Sequence, residues 1–164
     1  MKIYFAADHA GFALKHMLCV YVQDELLCEA VDCGAASLQP DDDYPEIIAV
    51  AAGYLAADVR EGRTSRAIFI GASGQGEAMA ANRFRGVRAA VYYGGTTRSQ
   101  RDTSGTELDI LASSRAHNDA NALSLGARFL TFDEAKAAVK IWLETSFSEE
   151  ERHKRRIRGL DMLV

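Results

Sequence analysis

Short apolar runs alternate with longer amphipathic stretches along this chain. The runs Lys2–Ala7, Glu29–Cys33, Ala67–Ile70, Val87–Tyr93 and Ala122–Leu125 have the length and residue types of strands. Between the first two, Leu14, Met17, Leu18, Tyr21 and Val22 recur at three- and four-residue steps within Phe12–Leu26, which gathers them on one helical face. Pro45–Val59 and Phe132–Phe147 read in the same way, and a basic helix is expected around residues 148–160. Strands separated by helices predict βαβ units and a parallel sheet covered on both faces. The expected fold is therefore α/β: a doubly wound parallel sheet, Rossmann-like, in three αβα layers. No repeat, linker or low-complexity stretch marks a boundary, so residues 1–164 read as a single domain.

Composition narrows the function classes. A chain of 164 residues with 48% hydrophobic content can bury a core without staples. Its 19 Lys and Arg against 23 Asp and Glu give a net charge of −4, which argues against a nucleic-acid partner. No apolar run reaches the ~20 residues that span a bilayer, and the start enters Ile3-Tyr4-Phe5 without a cleavage signature. The chain reads as cytoplasmic, with no membrane partner. Cys19, Cys28 and Cys33 are odd in number and lack CxxC spacing, so buried thiols are expected rather than a disulfide or a zinc site.

In doubly wound sheets, ligands sit beyond the carboxyl ends of the strands. That rule singles out Asp8–Gly11, the surroundings of Asp43-Tyr44-Pro45, and Gly71–Glu77. Gly71, Gly74 and Gly76 free the backbone N–H groups to face an anion, and Ser73 adds a hydroxyl donor. A dinucleotide fingerprint fails, because Met79 fills the third glycine slot and the loop follows the third strand. A Walker loop fails for want of GK[ST]. On its own the segment is equally a plain turn with Glu77 as a favourable first-turn acid. Asp8 and His9 suit sugar hydroxyls or proton transfer, while Asp8 could as well cap the next helix. Arg115–Asn121 concentrates polar groups ahead of a strand, and a lone His117 there is more often structural. Glu151–Arg156 is a basic run in an acidic chain, commonly a solvated face. Arg152 and Arg156, four apart on a helix, share one side and could grip one phosphate.

Taken together, these residues resemble the ribose-5-phosphate isomerase B family, which includes galactose-6-phosphate isomerase subunits. The resemblance runs from Lys2 to about Ile157. It is carried by ADHAG (Ala7–Gly11), VDCG (Val31–Gly34), DDDYP (Asp41–Pro45), GASGQGEAMAANR (Gly71–Arg83), HNDAN (His117–Asn121), LGAR (Leu125–Arg128) and RHKRR (Arg152–Arg156). The family's catalytic base is either a cysteine just before the glycine loop or a glutamate just after it. Here Gly71 stands in the cysteine slot and Glu77 in the glutamate slot, so the chain resembles the glutamate subclass.

The resemblance implies an aldose–ketose isomerase for ribose 5-phosphate and ribulose 5-phosphate, without metal or cofactor. Other tetrose or hexose phosphates, or a non-catalytic sugar-phosphate-binding role, stand as alternatives. It implies Glu77 as the base of a cis-enediolate mechanism, His117 as the ring opener, and Ser73 with the N–H groups of Ala72, Gly74, Gln75 and Gly76 as oxyanion donors. Asp8, His9, Tyr44 and Asn118 would contact the sugar, and Arg128, Arg152 and Arg156 the phosphate. It further implies a homodimer, with a tetramer left open, whose sites are shared: Glu77 from one subunit, and His117, Asn118 and Arg128 from the other. Two departures stand out. Ala72 replaces a usual glycine, and an inserted connection around residues 94–107 lengthens the segment before His117.

Overall fold

The structure is a computed structural model that describes residues 1–95, 100–101 and 105–163. In chain order it forms β1 (Lys2–Ala7), α1 (Phe12–Asp24), β2 (Glu29–Asp32), α2 (Tyr44–Arg60), β3 (Arg66–Gly71), α3 (Gln75–Ala81) and β4 (Ala89–Tyr92). These are followed by β5 (Gln100–Arg101), β6 (Glu107–Leu108), α4 (Ile110–Asn118), β7 (Ala122–Gly126), α5 (Phe132–Glu144) and α6 (Glu151–Asp161). Five strands make one parallel sheet in the order β2-β1-β3-β7-β4. This is the α/β architecture that the alternating pattern predicts.

Strand alternation sorts the core into two layers. Ile3 and Phe5 of β1, Ile68 and Ile70 of β3, and Leu123 and Leu125 of β7 pack against Leu14, Leu18, Val139 and Trp142 of α1 and α5. Tyr4, Ala6 and Phe69 point the other way, onto Ile48, Ala51, Ala52 and Leu55 of α2. Strands covered on both faces read as continuous apolar runs, and β1, β3 and β7 were legible for that reason. The chain leaves β1 for β2 on one side and returns to β3 on the other. The loops after β1 and β3 therefore part in opposite directions at a switch point, where such sheets bind ligands.

Several elements differ from the sequence expectation. The helix begun at Phe12 stops at Asp24 because the chain turns away, with Leu27 at φ 52°. The one begun at Phe132 stops at Glu144; Thr145 is extended, and the Ser148 N–H donates to Ala116 O at 3.0 Å, which draws the chain onto α4. Helix α4 was not expected. Asp109 caps it by accepting from Ala112 N at 2.7 Å, and it buries Leu111 and Arg115. In the inserted connection, β5 and β6 pair antiparallel, Gln100 opposite Leu108. The remainder of that expectation, 96–99 and 102–104, lies outside the described residues. The three cysteines are half-buried rather than buried, and burial pushes the Cys19 thiol up to about 12. Among the described residues, no helix is long and apolar enough to cross a membrane.

Candidate active site

The carboxyl ends of β1 and β3 bring two sequence-expected loops together, since Ala7 pairs with Ile70 in register. Glu77, the third residue of α3, is 4% exposed. Its carboxylate occupies the space that a side chain at Gly71 would need: a Cβ there would stand 1.9 Å from Glu77 Oε1. Burial raises the Glu77 carboxyl above its ordinary range, and the nearby Asp8 adds to the shift, against a lowering backbone hydrogen bond. Asp8 is itself buried, and its Oδ1 accepts from Ala10 N at 3.0 Å and Gly11 N at 3.1 Å. It thus organises the turn into α1, although the N-cap is Gly11, and it stays near enough to Glu77 to raise its pKa.

His9 is held by a residue the sequence did not single out. Asp42 Oδ1 lies 2.7 Å from His9 Nδ1 and accepts from His9 N at 3.1 Å. This bond is the largest cause raising the His9 pKa, Asp8 acting in the same direction and Arg128 against it. Tyr44, at the start of α2, leans over the glycine loop, where a Cβ on Gly76 would meet its ring at 2.7 Å. The loop is fastened to β7: Ser124 Oγ donates to Gly74 O at 2.6 Å, and Arg128 N donates to Ala72 O at 3.1 Å. Asp8, His9, Tyr44, Ala72 to Gly76, Glu77 and Arg128 therefore gather at one edge. The placement of Arg128 corrects the expectation that it stands with His117, because β7 carries it to the Glu77 edge.

His117 and Asn118 end α4, ahead of β7 and so at the amino edge of the sheet. Arg88 Nε donates to Asn118 O at 3.1 Å. Helix α6 brings the buried His153 against His117, ring centroids 4.5 Å apart. Ser148 Oγ lies 2.7 Å from His153 Nδ1. Burial holds the His153 pKa down, with His117, Arg152 and Arg156 adding to it. Arg152 pairs with Glu150, Nε to Oε2 at 2.8 Å, and Arg156 is exposed one turn further on. The insertion reaches this corner too: Gln100 Nε2 donates to Ser113 Oγ at 2.6 Å and lies 3.4 Å from His117 Nδ1. Neither His153 nor Gln100 was expected from sequence, because both roles arise from tertiary contact.

Among the described residues, no group of three or more His, Cys, Asp or Glu side chains is gathered to hold a metal. The site can offer a desolvated carboxylate, backbone and hydroxyl donors, imidazoles and guanidinium groups.

Known proteins share this arrangement of motifs. The family Ribose/Galactose Isomerase matches residues 3–160. Ribose-5-phosphate isomerase B of Mycobacterium tuberculosis (strain CDC 1551 / Oshkosh) is 36% identical over 157 residues, covering 96% of this chain and 86% of that protein. The enzyme of that name from Escherichia coli (strain K12) is 33% identical, covering 97% and 93%. Among solved structures, ribose-5-phosphate isomerase B from Mycoplasma genitalium with bound ribulose-5-phosphate superposes with a TM-score of 0.82 at 29% identity, covering 99% of this chain and 95% of that one. The type B ribose 5-phosphate isomerase from Trypanosoma cruzi gives 0.81 at 30% identity, covering 99% and 97%.

Proposed function

This chain belongs to the Ribose/Galactose Isomerase family and is an isomerase, and we propose that it interconverts ribose 5-phosphate and ribulose 5-phosphate through a cis-enediolate. The observation that carries the mechanism is the seat of Glu77. Moving a proton between C1 and C2 next to a carbonyl needs a base that titrates near working pH. Burial raises Glu77 in that direction, and Gly71 leaves room for its carboxylate. The charge that develops on the enediolate oxygens needs fixed donors, which Ser73 and the N–H groups of Ala72–Gly76 supply. His117 opens the furanose ring. Asp8, His9, Tyr44 and Asn118 hold the sugar, and Arg128, Arg152 and Arg156 hold the phosphate.

These residues lie at opposite edges of one chain. Crossing β7 from Ala122 to Gly126 takes four steps of about 3.3 Å, so one five-carbon sugar phosphate does not reach both groups within a subunit. We therefore assign the complete site to a homodimer, in which Glu77 and Arg128 come from one chain and His117, Asn118, Arg152 and Arg156 from its partner.

Glu77→Gln and His117→Ala proteins, each inactive alone, test this when unfolded together and reassembled. Random pairing makes half the dimers mixed, each with one intact composite site of two, so about a quarter of wild-type activity should return. No recovery after verified subunit exchange would refute the shared site. The reaction itself is tested by assaying four-, five- and six-carbon aldose and ketose phosphates for interconversion. A second reading, the same chemistry on a sugar phosphate of different length, is favoured by Gln100, since the insertion bearing it reaches Ser113 and His117. A preference in that panel for a tetrose or hexose phosphate would select it.

A further inference from the structure

His9 offers two ring nitrogens, and only one is spoken for. Asp42 Oδ1 takes Nδ1 at 2.7 Å and the His9 backbone N–H at 3.1 Å, while no described residue meets Nε2. The Asp42 carboxylate is 11% exposed on its side chain and His9 37%, so the bond is sheltered while the ring still opens outward. Asp42 is in turn fixed by its surroundings. The segment between β2 and α2 is anchored at its start by Lys15, a fully buried lysine whose Nζ donates to Asp32 Oδ1 at 2.7 Å and Ala35 O at 3.3 Å. Near its end, Asp42 N donates to Gln39 O at 3.2 Å, and Asp43 directly precedes α2. A buried cation thus anchors the start of the segment that carries Asp42 to His9.

We propose that Asp42 is a positioning residue, holding His9 with Nδ1–H donated to its carboxylate so that Nε2 is the nitrogen presented to the sugar phosphate. The inference rests on the sugar-phosphate reading for its ligand but not for its geometry. The charged groups facing His9 are Asp42, Asp8 and Arg128; Asp42 and Asp8 favour the imidazolium and Arg128 opposes it. These contacts favour the imidazolium form, in which Nε2–H is a charged donor to an anionic oxygen.

The test uses the full chain and reads His9 directly, by imidazole nitrogen and carbon NMR across a pH titration, in wild type, Asp42→Asn, Asp42→Ala and Asp42→Glu. The expected result is a downward shift of the His9 midpoint in Asp42→Asn, a mixture of neutral tautomers in Asp42→Ala, and partial restoration in Asp42→Glu. With ribose 5-phosphate, KM in Asp42→Asn should rise by about ten-fold near neutral pH, the scale of one charge-assisted hydrogen bond, while kcat changes less. A His9 titration and tautomer unchanged in Asp42→Ala would overturn the proposal, as would a shifted midpoint with KM unaltered. Should the chain turn over a different sugar phosphate, the NMR result still decides the role of Asp42, and KM is then measured on that substrate.

Discussion

Glu77 and Asp58 are each 4% exposed, at opposite ends of the same sheet, and their surroundings treat them in opposite ways. Burial by itself would raise Asp58, but bonds from Ser65, from Tyr4 OH at 2.8 Å and from Arg63 Nε at 2.7 Å outweigh it and hold the carboxyl below its usual range. Farther along the amino edge, Asp119 joins Arg88 at 2.9 Å and Arg115 at 2.7 Å. At the carboxyl edge Glu77 has no cation within ion-pair distance among the described residues, and its pKa goes up. Asp58 and Asp119 are matched by cations that tie loops and strand ends together. Glu77 is left unmatched, which is the observation behind its proposed role as the base.

Substitutions that break this contrast should separate activity from stability. Glu77→Gln removes the proposed base and should lower kcat by about 10²–10⁴-fold. Gly71→Ala should approach that loss from another direction, since the new Cβ would push the flexible Glu77 carboxylate off its seat while the backbone stays put. Circular dichroism should find both proteins folded, and near-normal turnover in either would sink the assignment of the seat. Asp58→Asn should do the converse, costing about 3 kcal/mol in denaturant unfolding by leaving buried partners half-satisfied, with turnover per folded molecule unchanged.

Arg156→Ala should raise KM about ten-fold, whereas Arg155→Ala should change it little; equal effects would return α6 to an ordinary solvated face. The smallest expected difference lies in stability against pH. A raised carboxyl favours folding below its unfolded pKa and loses that contribution as pH rises through its folded value. Glu77→Gln should therefore be more stable than wild type at neutral pH, and the gap should close below pH about 4.3, the ordinary Glu pKa. Asp58 works in the other sense, stabilising above the ordinary Asp range and ceasing to do so in acid. Unfolding midpoints collected from pH 3 to 8 would reveal either sign.

How much of this was legible in the sequence depended on where each feature gets its stability. The interior strands announce themselves because they are apolar on both faces, and Glu77, Asp8 and His9 follow such strands directly. Helix α4 was hidden because its inward face relies on Arg115, which reads as surface yet pairs with Asp119 and lies 5.7 Å from the Trp142 ring. Lys15 escaped for the same reason, a cation on an otherwise apolar face. The run Asp41-Asp42-Asp43 offered three equivalent acids, and only the fold shows which one meets His9. Arg128 was visible as a residue but misplaced, because its neighbours depend on where β7 enters the sheet, between β3 and β4.

The seat at Gly71 also bears on which side chains this position can accept. Wherever a relative places its base on the residue before the glycine loop, that residue carries a side chain, and in this chain the same volume belongs to the Glu77 carboxylate. Any side chain installed at position 71 would displace the Glu77 carboxylate from that volume. A chain that carried a side chain at position 71 and a glutamate at position 77 would have to hold that carboxylate somewhere other than the seat it fills here.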